Sequence, residues 1–301
     1  MKKNSGFIMI IVLGLSLAFS FMVLSFNFKT KEYVDSVVKQ YENFNMENIC
    51  ELGFEIAKEL LKNDKNSYDY FGEEWMHRRV FNIEDYYVII EIKDENSKIN
   101  INKIIEEKGQ INQLLLDLLK NLFLICGYSF SLFDSLIDWI DEDNLERPMG
   151  AEYFYYSSVG FKNLPPNKKI KNLSELFLIK NYDKKILFGE KDEKGILDFI
   201  TIYSDDKINI NTCEREILNA MGFTNEETNL IIKEREYRPL NESFLVKINK
   251  EVFLKNKNLI KYTSNYFHVY IKVKNKKGDE KNIEGIIKRD KKAELLRKGI
   301  L

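Results

Sequence analysis

Between Phe7 and Phe28 the chain carries no charged residue, and its only polar side chains are Ser16, Ser20, Ser25 and Asn27. At about 1.5 Å rise per residue, some twenty residues in a helix cross a hydrocarbon core of about 30 Å. A chain that starts this way is expected to be tethered to a membrane at one end. Only Lys2, Lys3, Asn4, Ser5 and Gly6 follow the initiator Met before the apolar run, and no A-x-A-like site closes it; the sequence continues as FNFKTKEY. An ordinary secretory leader has a shorter apolar region with such a site. A plain single-pass signal anchor is the competing reading. Lys2 and Lys3 favour a cytoplasmic N-terminus, whereas Lys29 and Lys31 on the other side weigh against it.

Beyond the anchor, Tyr33, Val37, Tyr41 and Phe44 recur at helical spacing, and Leu52, Ile56 and Leu60 continue the stripe after a break expected near Asn45. This amphipathic helix needs a partner surface, most simply a sheet in the same chain. Glu84 to Ile92 (EDYYVIIEI) has strand character. DENS at 94–97 reads as a turn and KININ at 98–102 as a short alternating segment. Gln113–Leu124 and Phe133–Ile140 have helical periodicity. Asn172–Ile179 reads as a short helix capped by Asn172 or Ser174, and Asn211 or Thr212 as caps for a helix over Glu214–Met221. A further helix is expected over Asn225–Arg235. Ser264 to Val273 alternates, with Phe267, Val269, Ile271 and Val273 on one face, and NIEGIIKR returns as its partner after a turn at Gly278. DKKAELLRKGIL reads as a charged tail. The fold class is α+β, with six segments: 1–6 leader, 7–28 transmembrane helix, 29–102 long helix and first strands, 103–205 inserted helical domain, 206–290 hairpin helices and last strands, and 291–301 tail. KININ occurs twice, at 98–102 and 207–211, each time after an acidic turn; five residues read as two similar strand-to-helix entries as readily as a duplication.

The formal net charge of -1 offers no bulk basic surface to nucleic acid. Cys50, Cys126 and Cys213 lie far apart without CxxC spacing, and His77 and His268 have no His or Cys neighbour in sequence, so neither a zinc site nor a disulfide framework is expected. Two stretches carry functional chemistry. LIDWIDEDNLERPMGAEYFYY, 136–156, holds Asp138, Asp141, Glu142, Asp143, Asn144, Glu146 and Glu152. Alternating carboxylates suit a hard cation that takes six to eight oxygens; a solvated acidic helix end is the alternative, and a catalytic carboxylate pair a third. No nucleophile or cofactor motif accompanies them, so no enzyme is expected. ININTCEREILNAMGFTNEETNLIIKEREYRPLNE, 208–242, has the outline of a helix-hairpin-helix. Its turn, MGFTNEE, puts two Glu residues where phosphate would sit, which reads as a packing hairpin rather than a nucleic-acid grip.

Taken in order, these pieces resemble the K-type minor pseudopilins of bacterial type II secretion systems. The short basic leader ending at Gly6 before Phe7 is similar to a prepilin peptidase site. EIKDENSKININ resembles the family's D-E-x-G-K-I-N-L-N strand, with Asn96-Ser97 in place of its glycine turn. LIDWIDEDN followed by GAEYFYY resembles D-W-x-D-x-D followed by G-A-E. NLSELFLI, ININT (with Cys213 where Ala is usual) and SNYF complete the likeness. Pilin-like proteins usually carry Glu at the fifth position after cleavage; here it is Ile11, as in the K type. The resemblance implies a pilin-like sheet interrupted by a helical domain, and cleavage after Gly6 with methylation of Phe7. It implies the I- and J-type minor pseudopilins, the major pseudopilin and prepilin peptidase as partners. A body in the periplasm on an inner-membrane anchor, and a place at the tip of the pseudopilus, also follow. So does calcium in the helical domain, held by Asp141, Asp143 and Glu152 with Asp138 and Asn144. A type IV pilus tip minor pilin and a membrane-anchored helix-hairpin-helix DNA-binding protein are the alternatives.

Overall fold

The computed structural model describes residues 5–106, 109–191, 193–290 and 292–300; Met1 to Asn4 of the expected leader lie outside them. Helix α1 runs unbroken from Ser5 to Asn63, 59 residues, with no interruption at Asn45. Its apolar first part is exposed throughout. The part that meets the rest of the chain buries Met46, Cys50, Phe54, Ala57 and Leu61, spaced four, four, three and four apart as one face of a helix requires. This differs from the stripe read from sequence. Tyr33, Val37, Tyr41, Phe44 and Leu52 are exposed, and Ile56 and Leu60 only edge the core. The buried face recruits Cys50 and Ala57, small residues that a search for large apolar side chains passes over.

The sheet that receives α1 has five antiparallel strands in sequence order: β1 (Arg79–Ile83), β2 (Tyr86–Asp94), β3 (Tyr266–Asn275), β4 (Glu280–Arg289) and β5 (Ala293–Ile300). On β3 the expected alternation holds, with Phe267, Val269, Ile271 and Val273 buried beneath α1. Two strands differ from the sequence reading. β1 precedes the expected first strand through a tight turn at Glu84, whose φ of 50° no Gly or Asn signals. The 291–301 tail is strand β5 over its described residues: Leu295 packs on the core, while Lys298 reaches Glu51 of α1. Its charges are those of an edge strand. Helix and sheet approach closely at two glycines. A Cβ on Gly53 would lie 2.9 Å from Ile271 Cδ1, and one on Gly285 would lie 2.7 Å from Phe54 Cε1. Lys277–Glu42, Lys281–Glu47 and Lys298–Glu51 ion pairs line one flank of the helix.

Residues 95–265, between neighbouring strands β2 and β3, form the helical part: α2 (Gln113–Ile125), α3 (Phe130–Ile140), α4 (Tyr153–Ser158), α5 (Lys184–Phe188), α6 (Arg215–Met221), α7 (Asn225–Tyr237) and α8 (Glu242–Asn256). The hairpin helices α6 and α7 share their core with α2 and α3, not with the sheet: Ile217, Leu218 and Ile231 join Leu115, Leu119 and Leu136. The two KININ copies occupy equivalent settings. Ile99–Asn100 pairs in parallel with Ile200–Thr201, and Ile208–Asn209 with Ile260–Lys261. Asn100 and Asn209 each accept a bond from the backbone N–H two residues on, both at 3.0 Å. The second Asn of each copy then fixes a later segment. Asn102 exchanges two bonds with the Ile170 backbone, and Asn211 accepts from Leu240 N–H. Asn211 and Thr212 therefore do not cap α6; their side chains are engaged elsewhere, and Glu214 stands at the cap position. Asn172 does cap the short 3-10 turn Leu173–Leu178, in a capping box with Glu175.

Because Gly285 admits no side chain, Gly285→Val is expected to force α1 off the sheet and cost about 1–3 kcal/mol. Denaturant unfolding of the detergent-solubilised protein reads this as a lowered midpoint; a surface change such as Lys276→Val is the reference.

Candidate functional site: the acidic loop and the polar junction

Helix α3 ends at Ile140 and delivers Asp138 and Asp141 to one end of the helical part, where the 142–152 loop folds back over them. Asp138 is fully buried and shapes that loop. Its carboxylate accepts from Ala151 N–H at 2.9 Å and Arg147 N–H at 3.2 Å. Gly150 is required beside it, since a Cβ there would fall 1.8 Å from Asp138 Oδ2. Asp141 and Glu152 are also buried, and Asp141 Oδ1 and both Glu152 carboxylate oxygens have no hydrogen-bond partner. Asp143 and Asn144 lie in the exposed part of the loop, where Asp143 accepts from Leu145 N–H and Asn144 from Asn167. Glu142 and Glu146 are exposed too. Trp139 packs edge-on to Tyr156, which locks α3 against α4 and holds Glu152 in place.

Burial, reinforced by the charges of Asp138 and Asp141, pushes the Glu152 carboxyl up to about 7. Burial and Asp143 lift Asp141 to about 6. Arg147, which sequence reading did not assign, is the cation facing them, 3.4 Å from Asp138 and 3.7 Å from Asp141. The donor chemistry, buried carboxylate oxygens without partners, fits a hard divalent cation. Among the described residues, no group of three or more His, Cys, Asp or Glu side chains is arranged to hold a metal ion as it stands.

A second polar cluster joins the helical part to the sheet. Asp94, at the end of β2, is buried, and its Oδ2 accepts from Ser264 (2.6 Å), Thr212 (2.5 Å) and Asn209 (3.1 Å). Asn96, where the family pattern has glycine, accepts from the backbone N–H groups of Asn265 and Tyr266 and donates to Asp205. Arg289 of β4 pairs with Asp64 and Asp69. Asp94 and Asn96, Asn209 and Thr212, and Ser264 to Tyr266 belong to DENSKININ, ININT and SNYF, so three separated motifs converge at one place. Cys213 is buried among them, and burial lifts its thiol to about 11, which leaves it unreactive. The α6–α7 hairpin turns at Gly222 (φ 108°), and Thr224 and Glu227 cap α7 with their own side chains. The amides that a phosphate-binding hairpin would present are thus already occupied.

Residues 97–188 match the family of the type II secretion system (T2SS), protein K. The chain is thus similar to type II secretion protein K over this segment. Its fold is similar to that of a chain in the crystal structure of the GspK-GspI-GspJ complex from the enterotoxigenic Escherichia coli type 2 secretion system. The TM-score is 0.68 at 17% identity, over 87% of this chain and 98% of that one. No curated protein matches the sequence. The matched segment contains the acidic loop.

Raised carboxyl pKa values have a definite consequence for this chain. Without metal, the folded chain binds protons at Glu152 and Asp141 that the unfolded chain, titrating near 4, does not. Stability is therefore gained as pH falls through about 7 and lost as it rises. Thermal melts in chelator are expected to show this gain, and Glu152→Gln to reduce it; equal pH dependence in both proteins would contradict the assignment.

Proposed function

We propose that this chain is a GspK-type minor pseudopilin that caps the type II secretion pseudopilus and holds calcium in its acidic loop; the protein K match over 97–188 and the shared fold support this. It would be cut after Gly6, methylated at Phe7, anchored in the inner membrane with its N-terminus cytoplasmic, and displayed in the periplasm with I- and J-type partners. The observation that carries the reading is α1. One helix passes from an exposed, membrane-length apolar segment to a face buried on the sheet, and between them Tyr33, Val37, Tyr41 and Phe44 stay uncovered within the chain. An apolar stripe outside lipid calls for a cover, and neighbouring helices in a filament supply one. At the fifth position of the mature chain stands Ile11, so no buried carboxylate waits for the amino terminus of a subunit above.

Intact-mass and N-terminal analysis of the membrane-extracted protein is expected to give a chain that begins at methylated Phe7. A chain still beginning at Met1 would sink the prepilin reading, and a cut beyond residue 20 would make the segment a secretory leader.

For the calcium reading, Asp138, Asp141, Asp143, Asn144 and Glu152 would hold the ion, and the metal would neutralise the charge now opposed by Arg147. Calcium at a hundredfold excess over its Kd is expected to add about 2.7 kcal/mol of stability, with the gain abolished in Asp141→Ala. Unchanged melting on addition of calcium would count against the site without touching the pseudopilin assignment.

A further inference from the structure

Among the described residues the two apolar cores, one under α1 and one within the helical part, share no residue. Buried polar and ionic groups lie where the two meet, so the placement of the helical part on the sheet responds to their ionisation. One of these groups is a histidine. His268 lies on the β3 face turned away from α1, mostly buried, with Nδ1 3.3 Å from Glu95 and Nε2 3.0 Å from Glu284. Glu95 stands where the chain leaves β2 for the helical part, and it also accepts from the Thr201 hydroxyl beyond α5. Glu284 belongs to β4. The imidazole stacks on Tyr270 at 4.1 Å between ring centroids.

The neutral ring, with Nε2–H on Glu284, can accept from the Tyr270 hydroxyl 3.1 Å from Nδ1 but then gives up its bond to Glu95; only as an imidazolium can the ring donate to both carboxylates. The surrounding charges support the same state. Lys98 pairs with Glu95 at 3.3 Å, Lys93 lies over the Tyr270 ring, and Arg297 beside Glu284 bonds Tyr203 of the helical part. Burial opposes the charged imidazole, but its bonds to Glu284 and Glu95 and their charges outweigh burial and raise the pKa above the ordinary value.

We propose that His268 is a protonation-dependent latch: as an imidazolium it ties Glu95, at the root of the helical part, to Glu284 on β4, and loss of a proton releases that tie and loosens the helical part on the sheet. The sign is fixed by linkage. The latch is fully closed below the ordinary His pKa of about 6.5 and opens as pH rises through the higher value of the folded state.

The test is hydrogen exchange on the full-length protein in detergent micelles, from about pH 6 to about pH 9, corrected for intrinsic exchange. Amides of 95–100, 199–204 and 266–270 are compared with those of α2 and α3. Wild-type junction amides are expected to lose protection with pH, by up to about tenfold per pH unit within the window, while the α2–α3 amides do not follow. His268→Gln is expected to flatten this dependence at the unprotected level. Glu284→Gln is expected to shift it to lower pH, and it carries the test if the first variant does not fold. His77→Gln, at the chain's only other histidine, leaves the profile unchanged. Flat protection in the wild type, or a wild-type profile in either junction variant, overturns the proposal.

Discussion

One carboxylate oxygen holds the architecture together. Asp94 Oδ2 accepts hydrogen bonds from Asn209, Thr212 and Ser264, side chains that enter from the middle and the end of the helical part. A buried carboxylate without partners is costly, and one with several donors is a strong positional constraint. Even with these donors, burial leaves the Asp94 carboxyl at about 6, above its ordinary range. The gain is geometric. With Asp94 fixed, the entry to the helical part (Asn96), the midpoint of that part (Asn209) and the return to the sheet (Ser264) cannot shift independently. The strands on either side, β2 and β3, are then neighbours despite the residues between them.

That constraint explains which parts of the fold were legible. The alternation at 266–273 was readable because one face of β3 is covered by α1 and period two survives in the sequence. DENSKININ, ININT and SNYF were readable as separate patterns, but their convergence was not, since hydrogen-bond partners more than a hundred residues apart leave no local trace. The phase of α1 was lost for a different reason. Its exposed stripe, Tyr33 to Phe44, is more hydrophobic in appearance than the buried one, where Gly53 admits Ile271 at close range and the small Ala57 is fully buried. β1 and β5 were missed because edge strands carry charge and need bury only half a face.

The acidic loop shows the same division between composition and geometry. Its carboxylates were visible as a run, but only burial separates their roles. Asp138 is satisfied by backbone N–H groups and organises the loop, whereas Glu152 and Asp141 have unpaired oxygens. Asp143 and Asn144, adjacent in sequence, face solvent. Arg147 was not read as part of the site at all, because a single basic residue among acids looks like surface charge. In the fold it is the counter-ion that keeps buried like charges together.

The internal resemblance of the two KININ settings adds a last step. In both, the first Asn turns the chain into the following segment, the second Asn pins a later backbone, and a two-residue parallel pair closes the unit. Units that close on themselves with so few strand bonds owe their stability to the shared helix core. Where they meet the sheet, buried polar and ionic contacts do much of the placing, beside the buried Ile286 on the same face. This is why a five-stranded sheet committed on one face to α1 can carry a helical body much larger than itself on its other side. The orientation of that body is then set in large part by Asp94, Asn96 and the Glu95–His268–Glu284 bridge.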